Sequence, residues 1–416
     1  MRKLLKYPAQ IVTVNTNGEN VKRGKLLNDI DVITDHSILL EDDKIIDFIA
    51  NTNIKRRKYD EIIDCTDKVI LPGLVECHTH TAFAGSRADE FRMKLKGSSY
   101  EEIAQSGGGI ITTVKAVRKS SFDELLKIIL PRVNYFISQG VTTLEIKSGY
   151  GLSFYDEVKL LQVINHLKKV TKINIVPTFL GAHTFPPEFK NDKDKYVDLI
   201  NNEMLPYIAS NKLAVFCDGF CEATTFSAEQ IDRIFSKANS LGIRLKLHTD
   251  QFNSIGGLEI ALRHNAVSVD HLEVIQEEDI PQIASSDTVA VLLPGVSFFL
   301  NYGYAPARNL IDQNAIVALS TDYNPGSSHI ANLNFVMSLA ALKMEMTIEE
   351  TISAVTINAA KALLMNESVG SIEPGKIADF AVFDCESYPE IIYNVGKNLN
   401  CMTIKSGEII FSVSNN

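Results

Sequence analysis

Three absences narrow the class of this chain of 416 residues before any motif is read. It has no basic excess. Lys and Arg number 41 against 51 Asp and Glu, a formal charge of -10, and a nucleic-acid partner, which calls for a basic face, is excluded on that ground. The one compact basic cluster, Lys55-Arg56-Arg57-Lys58, lies in an expected turn and reads as a solvated loop. It also has no paired C-x-x-C spacing. The six cysteines, at 65, 77, 217, 221, 385 and 401, are scattered, and Cys217 and Cys221 have no second pair nearby to complete a metal site. Reduced thiols in a cytoplasmic protein are expected. Finally, no apolar run is long enough to span a bilayer. Val289 to Leu300 is the most apolar stretch and is broken by Pro294-Gly295, while the N-terminus lacks the apolar core of a signal peptide. Neither nucleic acid nor membrane is therefore an expected partner.

What is present changes texture twice. Residues 1–68 alternate short β-rich runs, such as Ile11-Val-Thr-Val14 and Lys44-Ile-Ile-Asp-Phe-Ile49, with polar turns, and the same texture returns over 367–416. The simplest arrangement pairs the two ends as one small discontinuous β-sandwich around a central insertion over 69–366. In that insertion, eight strand-like runs alternate with amphipathic helical stretches. The runs are Val69 to Cys77, Val141 to Ile146, Ile173 to Leu180, Leu213 to Cys217, Ile243 to Leu247, Ala266 to Val269, Thr288 to Leu293 and Ile316 to Leu319. The helical stretches carry apolar residues three and four apart, as in Leu125, Ile128, Ile129, Val133 and Ile137. Eight such units are the pattern of an α/β fold of the (β/α)8 TIM-barrel class.

In such barrels chemistry sits at the C-terminal strand ends. Strand one ends in His78-Thr-His80, strand three in Gly181-Ala-His183, strand five in His248-Thr-Asp-Gln251, strand six in Asp270-His271 and strand eight in Ser320-Thr-Asp322. Five of the nine histidines therefore fall on one expected rim. Strand residues two apart share a face, so His78 and His80 point the same way. With His248 and Asp322 they make a set of three imidazoles and one carboxylate that leaves room for water, the open arrangement of a catalytic metal. One Zn2+ or Fe3+ per subunit is expected, since this ligation suits both. Asp322, beside that water, is a candidate to carry its proton to a leaving nitrogen.

The wider motifs, Pro72-Gly-Leu-Val-Glu-Cys-His-Thr-His-Thr-Ala-Phe-Ala-Gly-Ser-Arg87, Glu145-Ile-Lys-Ser-Gly-Tyr-Gly-Leu152, Gly181-Ala-His-Thr-Phe-Pro-Pro-Glu188 and Ser320-Thr-Asp-Tyr-Asn-Pro-Gly-Ser327, resemble those of the amidohydrolase superfamily over nearly the whole chain. The resemblance implies hydrolysis of a ring C–N bond in a small cyclic amide with a propanoate arm, and it puts the metal ligands on the same four residues. It implies that Arg87 grips the carboxylate, a role suited to a planar charged fork. Tyr150 and His183 would contact the ring and its amide, and Gln251, Asn324, Gly326 and Ser327 would line the substrate or product site. His271 would stand over the water and the scissile carbonyl.

Two departures from the superfamily's patterns refine this expectation. The end of strand four, Leu213-Ala-Val-Phe-Cys-Asp218, has no lysine to carboxylate, which points to one metal rather than two. The mononuclear deaminases resemble one another in H-x-x-E after strand five, whereas His248-Thr-Asp-Gln251 ends in an amide that does not titrate, so deamination is disfavoured. The alternatives are another mononuclear amidohydrolase acting on a different cyclic amide or purine-like ring, and a non-catalytic scaffold. The scaffold would be free to lose metal ligands, yet all four are present. Glu145, Lys147 and Asp270 are expected to form a structural ion-pair network. A homodimer is the ordinary assembly for such a soluble enzyme.

Overall fold

A computed structural model describes residues 1–97 and 108–413. Eight parallel strands form one curled sheet in sequential order: β1 (Leu74–Glu76), β2 (Val141–Lys147), β3 (Asn174–Ala182), β4 (Phe216–Cys221), β5 (Arg244–Thr249), β6 (Ser268–His271), β7 (Val289–Leu292) and β8 (Ile316–Leu319). The first and last strands meet at their C-terminal ends. There the His80 N–H donates to the Tyr323 carbonyl (3.0 Å) and the Asp322 N–H to the His78 carbonyl (3.1 Å), closing the (β/α)8 barrel at its rim.

Helices follow the strands because the sequence supplies both the apolar stripe and the start signal. Ser121 accepts from the Glu124 N–H, and the Glu124 side chain returns to the Ser121 N–H, ahead of the helix Phe122–Ile137; Ser227 with Gln230 and Thr347 with Glu350 repeat the device. Leu125, Ile129, Val133 and Phe136 are the buried stripe of the first of these. The long connection from β1 to β2 holds two helices that the strand-and-helix pattern does not predict, Ala88–Leu95 and Ile110–Lys119. Among the described residues no helix is long and apolar enough to cross a membrane.

The strand expected over Val69 to Cys77 is in fact two. Val69–Pro72 pairs antiparallel with Phe380–Phe383 in a six-stranded sheet that also takes Gln10–Val12, Val32–Ile33, Asn400–Lys405 and Glu408–Ser412. The barrel strand begins only after Gly73, where a Cβ would lie 2.3 Å from the Thr142 hydroxyl. A second, four-stranded sheet from residues 2–64 packs on the first. Leu5, Ile38, Leu40 and Ile63 from one share a core with Ile11, Ile70, Phe380, Val382 and Ile404 from the other. Strand four begins later than expected, at Phe216 rather than Leu213, which puts Asp218 in its middle.

Candidate active site

The barrel interior is charged where most are apolar. Period-two alternation turns Glu76, His78 and His80 inward from the β1 end, Glu145 and Lys147 from β2, Asp218 from β4, Lys246 and His248 from β5, and Ser268 and Asp270 from β6. All are buried. Lys147 Nζ lies 2.9 Å from Glu145, 2.8 Å from Asp218 and 3.8 Å from Asp270, while Lys246 Nζ is 3.1 Å from Glu145 and 3.8 Å from Asp270. The network expected of Glu145, Lys147 and Asp270 therefore exists, with Asp218 and Lys246 completing it.

Above this layer the four ligand candidates converge. Asp322 Oδ1 is 3.4 Å from His78 Nε2 and 3.2 Å from His80 Nε2, and His80 Nε2 is 3.3 Å from His248 Nε2. His78 Nε2 and Asp322 Oδ1 are buried with no hydrogen-bond partner. His78, His80 and Asp322 together have the spacing of metal ligands, as do His78, His248 and His271. The Nδ1 atoms of two of these rings are already engaged, His78 with Asp270 Oδ2 at 2.5 Å and His248 with Asp218 Oδ1 at 3.1 Å. That fixes the tautomer and leaves each Nε2 lone pair aimed at the centre, so the residues fit a bound metal. Burial pushes His80 below the usual imidazole range and His248 down to about 3, so both rings are neutral donors. Burial would raise Asp322, but the neighbouring His78 and His80 outweigh it and hold the carboxyl well below its ordinary value.

Around this centre the remaining residues take their places. His183 stacks on His80 with ring centroids 5.1 Å apart, and its Nδ1 donates to the Gly149 carbonyl (2.9 Å). Tyr150 is 5.2 Å from His183 and 6.0 Å from His80, centroid to centroid. His271 stands 5.5 Å from His248, with Nδ1 3.3 Å from Glu273, whose charge outweighs burial and raises the imidazole. Gln251 donates to the Tyr302 hydroxyl (3.2 Å), which in turn donates to Glu273 (3.4 Å). In the turn after β8, Asn324 Nδ2 donates to Asp322 Oδ2 (3.0 Å) and Ser327 Oγ (2.8 Å), and Asn324 Oδ1 accepts from the Gly326 and Ser327 N–H groups (2.7 Å each). Arg87, held through Nε by Glu90 (2.7 Å), lies over Gly326 so closely that a Cβ there would be 2.2 Å from Nη1. The candidates named from sequence thus border one another in a single cluster or its rim.

Positive backbone φ recurs along the chain, and three instances fall at the strand ends of this site. Asp322 (φ 49°), His271 (φ 90°) and Asp250 (φ 53°) adopt positive φ at three strand ends, each at a cost of roughly 1–3 kcal/mol. Asp218, Lys246, Glu273 and Tyr302 contact the candidate residues and are not singled out by any sequence motif. For the first two a signal exists: a charged residue inside an otherwise apolar strand, which for Lys246 is also two positions before His248.

The amidohydrolase family matches residues 69–410. Over 412 residues the chain is 41% identical to an imidazolonepropionase of Alkaliphilus metalliredigens, covering 98% of this chain and 97% of that one. It is 43% identical over 413 residues to one of Shouchella clausii, covering 98% and 92%. Among solved structures, an adenosine deaminase from Xanthomonas campestris with bound zinc superposes with a TM-score of 0.72 at 16% identity, covering 100% of this chain and 94% of that one. The E. coli guanine deaminase gives 0.72 at 14%, covering both chains fully. At such identities the two deaminases share the fold and no more is drawn from them.

Proposed function

From the premise that this chain belongs to the amidohydrolase family and, within it, to the imidazolonepropionases, we propose how its residues divide the work of one hydrolysis. The chain is a hydrolase of histidine degradation that opens the ring C–N bond of 4-imidazolone-5-propanoate to give N-formimidoyl-L-glutamate. His78, His80, His248 and Asp322 hold one zinc or ferric ion per subunit. Such a metal, when bound, supplies Lewis acidity and makes hydroxide available near neutral pH.

The chain's own residues supply the rest. Arg87 grips the propanoate carboxylate with the Nη edge of its guanidinium, beside the lining turn of Gly326 and Ser327 that Asn324 holds in shape by accepting from both of their N–H groups. Tyr150 offers its hydroxyl, and His183 its free Nε2, to the ring and its amide. His271, oriented by Glu273 through Nδ1, turns Nε2 to the carbonyl oxygen and stabilises the charge that develops there. Asp322 moves the proton of the attacking water to the departing ring nitrogen. Gln251 fixes the ring by hydrogen bonding and transfers no proton. The observation that carries this reading is the Arg87–Gly326–Asn324–Asp322 contact chain, which sets a carboxylate grip beside the ligand cluster. Six free cysteines support the cytoplasm as the compartment.

The test follows the absorbance of freshly made 4-imidazolone-5-propanoate with purified, metal-stripped and reloaded protein. Accelerated decay, lost on stripping and restored by zinc or iron, is expected. No acceleration over background in metal-loaded protein would move the substrate to another small cyclic amide. Turnover of analogues without the carboxylate at the same efficiency would remove the role given to Arg87.

A further inference from the structure

The loop that carries Tyr150 is gripped from both of its backbone edges by two side chains that the chemistry above does not use. Between Ser148 and Leu152 the chain turns sharply, with Gly149 at φ +100° and Leu152 at φ +49°. A Cβ at Gly149 would lie 2.9 Å from the Leu180 carbonyl, and one at Gly151 only 2.5 Å from the Glu157 nitrogen, so both positions exclude a side chain. Glu157, fully buried in the first turn of the helix Phe154–Val170, accepts from the N–H groups of Gly149 (3.1 Å), Gly151 (2.8 Å) and Leu152 (2.9 Å). Arg118, on the helix Ile110–Lys119, donates from Nε to the Gly151 carbonyl (2.8 Å) and from Nη2 to the Leu152 carbonyl (3.0 Å), and its Nη1 pairs with Glu188. The carbonyl of Gly149, whose N–H Glu157 holds, is the acceptor for His183 Nδ1 (2.9 Å).

Each clamp suits its residue type. Three convergent N–H groups need an acceptor with no donor of its own, which a carboxylate is and an amide is not. Two successive carbonyls need two donors at fixed separation, which a guanidinium offers and an ammonium does not. Through Glu188 the same arginine also reaches the connection after β3, so the segments that follow β1, β2 and β3 are tied at one point.

We propose that Arg118 and Glu157 are positioning residues for substrate binding, fixing the Tyr150 hydroxyl and the His183 ring against the substrate without touching it. This rests on the reading that Tyr150 and His183 contact the substrate. The clamp therefore acts on KM more than on kcat, with Tyr150 carrying most of the effect and His183, held at the Gly149 carbonyl, the small remainder.

A double-mutant cycle tests this on the metal-loaded enzyme with 4-imidazolone-5-propanoate. Arg118→Met is expected to raise KM about tenfold, with kcat within about threefold and metal content unchanged, because small misplacements of positioning groups are costly. In a Tyr150→Phe background the same substitution is expected to change KM less than about twofold, the two effects being non-additive. Arg118→Gln, which keeps one donor, replaces the methionine variant if the latter does not fold. Full additivity of the two KM effects would overturn the proposal, since the clamp would then act elsewhere. So would a fall in melting temperature with KM unmoved, the mark of a merely structural contact. A Tyr150→Phe enzyme with unaltered KM would instead strike the substrate-contact reading itself, a result visible in the single variant, and the proposal would fall with it.

Discussion

His78 Nδ1 lies 2.5 Å from Asp270 Oδ2, and neither side chain has any exposed surface. Asp270 is in turn fixed by the Ser268 hydroxyl (2.6 Å), and although burial would raise it, Lys246, His78 and Lys147 hold its carboxyl below the usual range. An ionised carboxylate at that spot makes Nδ1 the protonated nitrogen, frees Nε2 for the metal and strengthens it as a donor.

Replacing Asp270 by Asn removes that charge with little change of shape. Metal affinity should fall by about 10- to 100-fold, the usual effect of losing such a partner. Competition with a chelator of known affinity measures it. Unchanged affinity would mean that the contact orients nothing.

Gln251 and Asp322 are predicted to behave oppositely. Gln251→Glu leaves the four ligands intact and changes a group whose amide donates to Tyr302, not to a reacting atom, so turnover should stay within about tenfold. Asp322→Ala removes both a proposed ligand and the proposed proton carrier, and kcat should fall by at least about a thousandfold. Steady-state rates on proteins of measured metal content decide it. Equal losses in the two variants would end this division of labour.

Lys147 faces three carboxylates, and all four side chains are fully buried. Lys147→Met would leave Glu145, Asp218 and Asp270 short of a cation and should destabilise the fold by about 3–5 kcal/mol, as breaking a buried pair does. The denaturant midpoint reports the change. Adding Asp218→Asn should return part of the loss, because one of the unpaired charges is then gone; a further loss of the same size would contradict the ion-pair account.

Much of this site is legible in the sequence, and the reason is physical. A strand end bearing His-x-His, or an Asp directly after a short apolar run, exposes its chemistry at a position that periodicity locates, and the barrel's geometry then brings such ends together. Hence spacing alone finds the four candidate ligands and the rim histidines, which the structure brings together. Residues acting from within strands or through another side chain escape it. Asp218 reads as a strand end because the apolar run Leu213-Ala-Val-Phe hides a strand that starts only at Phe216. Tyr302 meets Gln251 across a sequence gap that no local pattern records, and Glu273, only two residues after His271, lies past the strand end, where period two no longer locates a side chain. Likewise the break at Gly73 reflects a close approach of Thr142, a contact between strands that a single run of apolar letters cannot reveal.

The break at Gly73 separates a strand of the terminal sheets from the first barrel strand. Val69–Pro72 lies in the six-stranded sheet between Gln10–Val12, which it pairs in parallel, and Phe380–Phe383, which it pairs antiparallel. A chain ended at residue 366 loses Phe380–Phe383, Asn400–Lys405 and Glu408–Ser412 together. That bares a sheet edge next to the first barrel strand and uncovers Ile11, Ile70 and their neighbours, which Phe380, Val382 and Ile404 cover in the whole chain. The truncated product should therefore be recovered as aggregate, and co-expression of the 367–416 segment should return part of it to solution. A soluble 1–366 fragment with cooperative unfolding would show that the N-terminal strands close on themselves and that the two ends of the chain do not depend on each other.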